Sequence, residues 1–528
     1  MQKNLLVVLC IIGLTWASGL TAGVTTEVAV PVVVVDQNGK PVAGAMLSWL
    51  DDNGLEHTRF TDTRGAGSLP LQATRWRVRA AGYREAAIAQ LTDGRAASVT
   101  LEPDSEFLSS LPSSQWMALL PEGELKREFI LNCLTCHEIS QARIMVDGKP
   151  RDATYWHAAI AMMRALDAFE VIPPDFDDKA VATWLAQHLD QPSIDGLGPA
   201  DLPAPAAVSG LTITEFPLPY ADSLPHDLVV GPDGRIWITA FFYDLIWAMD
   251  PSNGAIQVYP IDDDDTVNAQ PRALKFDDKG FLWIVNGGTN KVVRLDTQTG
   301  TYEDFDVQMY AHSLDLDPEG NVWVNDYFAS KERVAKVDAG TGEVTILPIP
   351  AANRPASEGV PLPYGLQVDR QGRLYSTQLA ANTLAIYNTR TGAEQLLELP
   401  AQNSGPRRPG LGPDGRLWIP EFNTGFLTAF DPATGKFERI DLGLSTLGAY
   451  DVEVDQRTGD VWISGSLDSS MLRYSPDSGA LARIPLPTEP AYTRHIAIDP
   501  QTSDVWIAYA SLPAAKPKVV RLRFGADN

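Results

Sequence analysis

Cysteine is scarce: only Cys10, Cys133 and Cys136 occur in 528 residues, so no disulfide framework can hold the fold together. Basic side chains are outnumbered, 42 against 67 acidic, which gives a formal net charge of −25. That sign repels phosphate backbones and anionic lipid heads, and it argues against nucleic acid or a membrane surface as partner. Beyond the first 22 residues no apolar run approaches a membrane span. What is present, 44% hydrophobic and 21% charged residues, is an ordinary globular composition, and it excludes a wholly disordered or fibrous chain. The length allows roughly three or four domains.

Residues 1–22 read as an export signal, with Lys3 in the positive region, an apolar core over 5–14 and small residues before Ala22. The core is too short to span a bilayer. Cleavage near Ala22 removes Cys10 and leaves a periplasmic or secreted chain with Cys133 and Cys136. Residues 23–103 carry β-branched runs broken by turns such as Asn38-Gly39-Lys40-Pro41, the pattern of an all-β module. Through Gly39, Pro41, Gly44 and Ala45, then Thr61, Asp62 and Gly65, then Ala81, Gly82 and Tyr83, this stretch resembles the carboxypeptidase regulatory-like, transthyretin-like sandwich family. That resemblance implies a rigid accessory. Residues 104–191 change to helical spacing, over 114–129, 153–166 and 177–189. Residues 192–209 are rich in Pro, Gly and Ala and read as a semi-rigid linker.

From residue 210 to 528 the chain repeats. An aromatic recurs at Trp237, Trp283, Trp323, Tyr375, Trp418, Trp462 and Trp506, each after a turn of the PDG type. Seven repeats of this length, each with a few short strands, predict a seven-bladed β-propeller. A strand after a Gly-containing turn ends each of the first six repeats. The seventh copy, LTITEFPLP at 211–219, precedes the first repeat instead. It is expected to pair into the last blade and close the ring, which hides the sheet edges. The expected fold is multidomain and mainly β: a β-sandwich, a small all-α cytochrome c domain and a seven-bladed propeller.

Cys133-Leu134-Thr135-Cys136-His137 is a CxxCH motif. Two thiols at this spacing can form thioethers to one haem while the adjacent imidazole reaches the iron, so haem c with Cys133 and Cys136 attached and His137 axial is expected. A zinc site would need a second cysteine or histidine pair, and the mature chain has no other cysteine. In the following helical segment Trp156, Ile160 and Met163 share a face, and Met162 lies about 100° around from it. Met163 is the expected sixth ligand, with Met162, His157 and Met145 as alternatives. Residues 116–189 resemble the monohaem class I cytochrome c family, in which a ligand methionine follows a tryptophan by seven residues.

The repeats resemble the virginiamycin B lyase (streptogramin lyase) family through Pro225-His226 and LWIP before Glu421. The resemblance implies two histidines on neighbouring blades and a glutamate acting with magnesium at the channel mouth. At the position of His226 the later blades carry Arg272, His312, Tyr364, Arg407, Tyr450 and Arg494. The two histidines are therefore not on adjacent blades, and the family's catalytic set is not reproduced. His495, one place after Arg494, is expected to point away. The ring is a candidate site for a small anionic molecule, with His226 and His312 as proton-transfer groups and Asp326 and Glu421 as carboxylates among the arginines. The run at 262–265 reads as a solvated acidic loop. The expected function is a haem protein that passes electrons between a bound small molecule and a redox partner protein. The alternatives are a lyase with an accessory cytochrome and a non-catalytic binding propeller.

Overall fold

The computed structural model describes residues 29–71, 74–87, 96–135, 137–165, 172–198, 210–261, 268–328, 332–351, 361–511 and 516–525. The expected export signal, Cys136, the 262–265 run and most of the expected linker lie outside the described residues. Among the described residues no helix is long and apolar enough to cross a membrane.

The N-terminal module is two sheets over one core. Strand Ala29–Asp36 alternates buried and exposed, with Val30, Val32 and Val34 inside, because successive side chains of a strand face opposite sides. It pairs antiparallel with Ala66–Pro70 and parallel with Ala97–Leu101. Glu56–Phe60, Met46–Leu50, Thr74–Arg79 and Ala86–Ala87 form the second sheet. Leu47, Leu69, Val78 and Leu101 fill the space between the sheets.

Residues 211–524 hold seven four-stranded sheets. Six are built from consecutive strands, from Pro225–Val230 through Ala480–Pro485. The last has three strands of its own, Thr493–Ile498, Val505–Tyr509 and Lys518–Phe524. Leu211–Pro217 supplies the fourth, antiparallel to Lys518–Phe524 from Leu211↔Phe524 to Pro217↔Lys518. The expected closure is therefore present, and the innermost strands of the first and last sheets lie against each other. The repeated aspartate and aromatic have a physical reason. Asp277 accepts the Lys279 and Phe281 amides at 2.9 Å each, which fixes the turn, and its other oxygen accepts the Trp283 indole N–H at 2.9 Å. Asp317 holds Trp323, and Asp369 holds the Tyr375 hydroxyl, at the same distance.

One connection was not read from the sequence. Leu211–Pro217 also pairs with Glu56–Phe60 of the N-terminal module, through Ile213↔Thr58, Thr214↔His57 and Glu215↔Glu56. The sandwich sheet and the last blade are one eight-stranded sheet, and the outer edge of the closing strand is covered.

Between these parts lie helices α1 (Ser113–Ala118), α2 (Glu124–Cys133), α3 (Gln141–Ile144), α4 (Ala153–Ala165), α5 (Asp178–His188) and α6 (Gln191–Asp195). The helical spacing over 114–129 is split in two, because Pro121 and Gly123 break it. Asp177 caps α5 by accepting the Ala180 amide at 3.0 Å, and Asp190 caps α6 through the Ser193 amide at 3.0 Å. The expected linker at 192–209 is thus corrected at its start. Residues 192–195 are helical, and Ile194 is buried in the helical core.

Removing residues 1–221 deletes the closing strand and exposes an edge of the last blade. The shortened chain is expected to aggregate or melt well below a chain that begins at Gly210. Equal melting temperatures in scanning calorimetry would show that the strand is dispensable.

Candidate functional site

Six of the seven inner strands begin with a disruption. The ladder register shifts between Pro225 and Leu228, Pro271 and Leu274, Ala311 and Leu314, Pro363 and Leu366, Ala449 and Val452, and Thr493 and Ile496. A bulge of this kind puts an extra residue on one strand and re-aims its side chains. The two residues inside each shift are His226-Asp227, Arg272-Ala273, His312-Ser313, Tyr364-Gly365, Tyr450-Asp451 and Arg494-His495. Both members of a pair can therefore face the axis. The expectation that His495 points away is corrected: His495 lines the central cavity with Asp227, Arg408 and Asp451.

His226 and His312 come together although they lie two blades apart, with ring centroids 6.3 Å apart. Asp227 Oδ1 sits 2.7 Å from His226 Nδ1, and Asp227 Oδ2 accepts from Arg408 Nη1 at 2.6 Å. His312 Nδ1 sits 3.0 Å from the Tyr364 carbonyl. These acceptors place the proton of each imidazole on Nδ1 and leave Nε2 as the basic nitrogen. Burial, with the charges of Arg494 and Arg272, lowers the His226 pKa to about 3 despite the Asp227 hydrogen bond. Burial and the charges of Arg408 and Arg272 hold His312 well below its ordinary value. Both rings are therefore neutral bases, beside Arg272, whose guanidinium stacks over Phe241 and Tyr310 at 5.0 and 4.7 Å.

The other side of the ring is already occupied by protein. Arg407 is fully buried against the rings of Phe422, Tyr450 and Tyr364, at 3.7, 4.5 and 5.0 Å. It donates to the Tyr364 hydroxyl and to Thr135 Oγ1, each at 3.1 Å. Thr135 is the third residue of the CxxCH motif. Tyr492, just before Arg494, donates its hydroxyl towards the Leu134 and Thr135 carbonyls, at 3.1 and 2.9 Å. Further along, Ser114 donates its amide to the Leu467 carbonyl at 2.7 Å and its hydroxyl to Asp468 at 2.6 Å. Trp116, Leu134 and Phe129 share one apolar cluster with Phe422, Tyr450, Leu467 and Tyr492. The CxxCH loop thus sits directly on the ring.

Tyr364 and Tyr450 hydrogen-bond to each other through their hydroxyls. Burial and the Tyr450 oxygen push Tyr364 up. Burial also works against ionising Tyr450, but Arg494, Arg407 and Arg408 outweigh it and lower its pKa. The proton of the shared bond therefore stays on Tyr364.

Asp326 and Glu421 are corrected. Asp326 pairs with Arg333 at 2.5 Å, and Glu421 holds Arg439 with contacts of 2.9 and 2.7 Å. Both lie at the end of the second strand of their blade, where Asp326 is tied to the third strand and Glu421 to the fourth.

In the helical segment, Cys133 ends α2 with its thiol buried, and burial, with the Asp178 charge, pushes its pKa up to about 12. His137 Nδ1 lies 3.0 Å from the Glu138 carbonyl, and the Arg143 guanidinium meets both that carbonyl and Nδ1. Burial and the Arg143 charge lower its pKa to about 4, so the imidazole is neutral. On α4 Trp156 and Ile160 are buried, Met163 is half-buried on the same face, and His157 and Met162 are exposed. Met145 is half-buried and packs against the same core. Among the described residues the buried N–H groups of Trp116 Nε1, Trp156 Nε1 and Arg151 Nε have no acceptor. The Arg151 guanidinium lies 5.5 Å over the Trp156 ring.

The Virginiamycin B lyase family model matches residues 207–358. A streptogramin B lyase structure is 20% identical with a TM-score of 0.52, and covers 60% of this chain and 98% of its own. Virginiamycin B lyase from Staphylococcus aureus is 17% identical at the same TM-score, over 60% of this chain and all of its own. Residues 211–524 fold as a virginiamycin B lyase-like β-propeller. No curated protein sequence matches the chain. At these identities the likeness carries the propeller fold and nothing of its chemistry.

Two outcomes test this geometry. Replacing Tyr492 by Phe leaves the Leu134 and Thr135 carbonyls without their donor and is expected to cost about 1–3 kcal/mol in urea unfolding. No loss would mean that the ring does not hold the loop. Below pH 6.5 an unfolded His226 takes up a proton that the folded chain refuses. Wild type should therefore lose stability relative to His226→Gln as pH falls from 6.5 towards 4, by about 1 kcal/mol per pH unit. A constant difference across that range would mean that His226 is not held neutral.

Proposed function

We propose that the protein is an exported c-type haem protein in which the propeller ring and the haem-bearing loop form one site for a small, anionic molecule. The observation that carries this reading is the seating of the CxxCH loop on the ring, through Arg407 to Thr135 and Tyr492 to Leu134 and Thr135. The residues present suit the group. His137 is neutral, and its Nδ1 is engaged by the Glu138 carbonyl and the Arg143 guanidinium, so Nε2 is the nitrogen left for iron. Met163 shares the inward face of α4, and Cys133 and Cys136 are the attachment points. The unpaired N–H groups of Trp156 and Arg151 suit a group that carries carboxylates of its own.

Bound there, a c-type haem supplies one-electron transfer, and a thioether ligand raises its reduction potential. His226 and His312, held unprotonated at Nε2, accept hydrogen bonds from a molecule in the channel, and Arg272 offers its positive charge to the anion. Asp227 orients His226 for that contact. A redox partner protein would exchange electrons with the group.

The second reading is a lyase-like or purely binding propeller with an accessory cytochrome. It is favoured by the propeller likeness and by the opposed histidines. The magnesium implied by the resemblance finds no support, since the described residues gather no group of three or more metal-ligating side chains. No step is assigned to it.

Met163→Ala is expected to abolish the weak near-infrared charge-transfer band of ferric iron bound to methionine, while the haem stays with the protein in acid–acetone. Cys133→Ser with Cys136→Ser should release it. A band that survives in Met163→Ala points to Met145. Anaerobic addition of small carboxylates to oxidised protein separates the two functions: reduction of the haem supports electron transfer, and product without reduction supports the lyase.

A further inference from the structure

Beyond the histidines the channel opens into a cavity of about 310 Å³. It lies towards the end of the inner strands away from the helical segment, and all seven blades contribute to its wall. We propose that this chamber is a receptor for a small monocarboxylate, anchored on Arg408.

Arg408 is 5% exposed. Its Nη1 donates to Asp227 at 2.6 Å, while Nε and Nη2 are buried and have no acceptor among the described residues. Those two N–H groups form one edge of the guanidinium and point in parallel. That is the edge a carboxylate matches with two hydrogen bonds. Buried donors are almost always satisfied in folded proteins, so a free parallel pair facing a cavity marks the place of a missing acceptor. His495 Nδ1, also on the wall, is buried and unpartnered as well and can meet a further polar atom.

The charges of the wall set the class of ligand. Leu274, Leu314, Leu366 and Ile496 border the chamber but bury their side chains in the cores between blades, so the wall offers polar as well as apolar atoms. Asp227 already balances Arg408, so the ligand brings one uncompensated negative charge. Lys275 stands at the wall, held by Asp315. Burial moves Asp451 up to about 6 and Glu453 up to about 7, towards their neutral forms. A single added charge can be accommodated in this setting, and a dianion or phosphate brings one too many. The chamber does not depend on the haem reading.

The test uses the full-length, haem-loaded protein with benzoate as probe and benzamide as its uncharged match, followed by calorimetry and thermal melting. Benzoate is expected to bind at least ten-fold more tightly than benzamide. Arg408→Lys, which keeps the charge but loses the fork, is expected to weaken benzoate ten-fold or more and to leave benzamide unchanged. Should Arg408→Lys fail to fold, His495→Trp, at a half-buried position on the wall, narrows the chamber with Arg408 intact and is expected to abolish binding of benzoate. Equal affinity for the two probes, no binding of benzoate at millimolar concentration, or undiminished binding in the variant that folds would overturn the proposal.

Discussion

A regular strand sends alternate side chains to opposite faces, so two consecutive residues cannot both look down the axis of a ring of strands. The bulge at the start of six inner strands removes that restriction. Without it the axis would carry one tier of polar side chains. With it there are two: His226, Arg272, His312, Tyr364, Tyr450 and Arg494 in one, and Asp227, Ser313, Asp451 and His495 in the next. In the fifth blade the inner strand is reduced to Gly410–Leu411, and Arg407-Arg408-Pro409 serves the same purpose. The upper tier meets the helical segment, and the lower tier lines the chamber. The Asp227 carboxylate joins them, with one oxygen on His226 and the other on Arg408.

The second constraint is the strand Leu211–Pro217, which is hydrogen-bonded along both edges. It closes the last blade and at the same time ties the N-terminal sandwich to it. A sheet that runs through both modules cannot hinge at their boundary without breaking its ladder. The sandwich is thus part of the propeller's frame. Glu215 marks the junction, buried and accepting from Tyr509 at 2.9 Å and from Lys518 at 2.7 Å. A carboxylate so placed is tolerable only because both oxygens are paired.

Much of this was legible because it is local or periodic. The aspartate that fixes a turn and holds an indole six residues later recurs in the chain, and it makes the blade period visible. The displaced copy at 211–219 announced its pairing because one repeat lacked its last strand. The spacing of Trp156, Ile160 and Met163 gave the inward face of α4, and Met162 is exposed as that spacing requires. What failed was non-local. His495 was misjudged by assuming strict alternation, which the bulge breaks. Asp326 and Glu421 stand among the ring arginines by counting, but their partners are in their own blades: Arg333 on the next strand and Arg439 on the next but one. The pairing of Glu56–Phe60 with Leu211–Pro217 joins segments some 150 residues apart, and no pattern within either segment names the other.

The ring shows how guanidinium groups can be gathered without carboxylates. Arg407 and Arg494 lie within 6 Å of the Tyr450 ring, and Arg407 also lies against Phe422. Aromatic faces and hydroxyl oxygens stabilise these cations without cancelling their charge. Had Asp or Glu stood at these positions, each arginine would be neutralised and the tier electrically silent. Instead a positive field is kept inside a chain whose net charge is −25. It acts on whatever lies beside it: it lowers Tyr450, suppresses protonation of His226 and His312, and reaches His137 through Arg494. The same field that keeps the histidines unprotonated also favours negative charge on the adjacent loop. Protonation of the channel histidines is thus opposed, and an anion beside them favoured, by one set of charges. That shared origin is the physical reason to regard the helical segment and the propeller as a single functional unit.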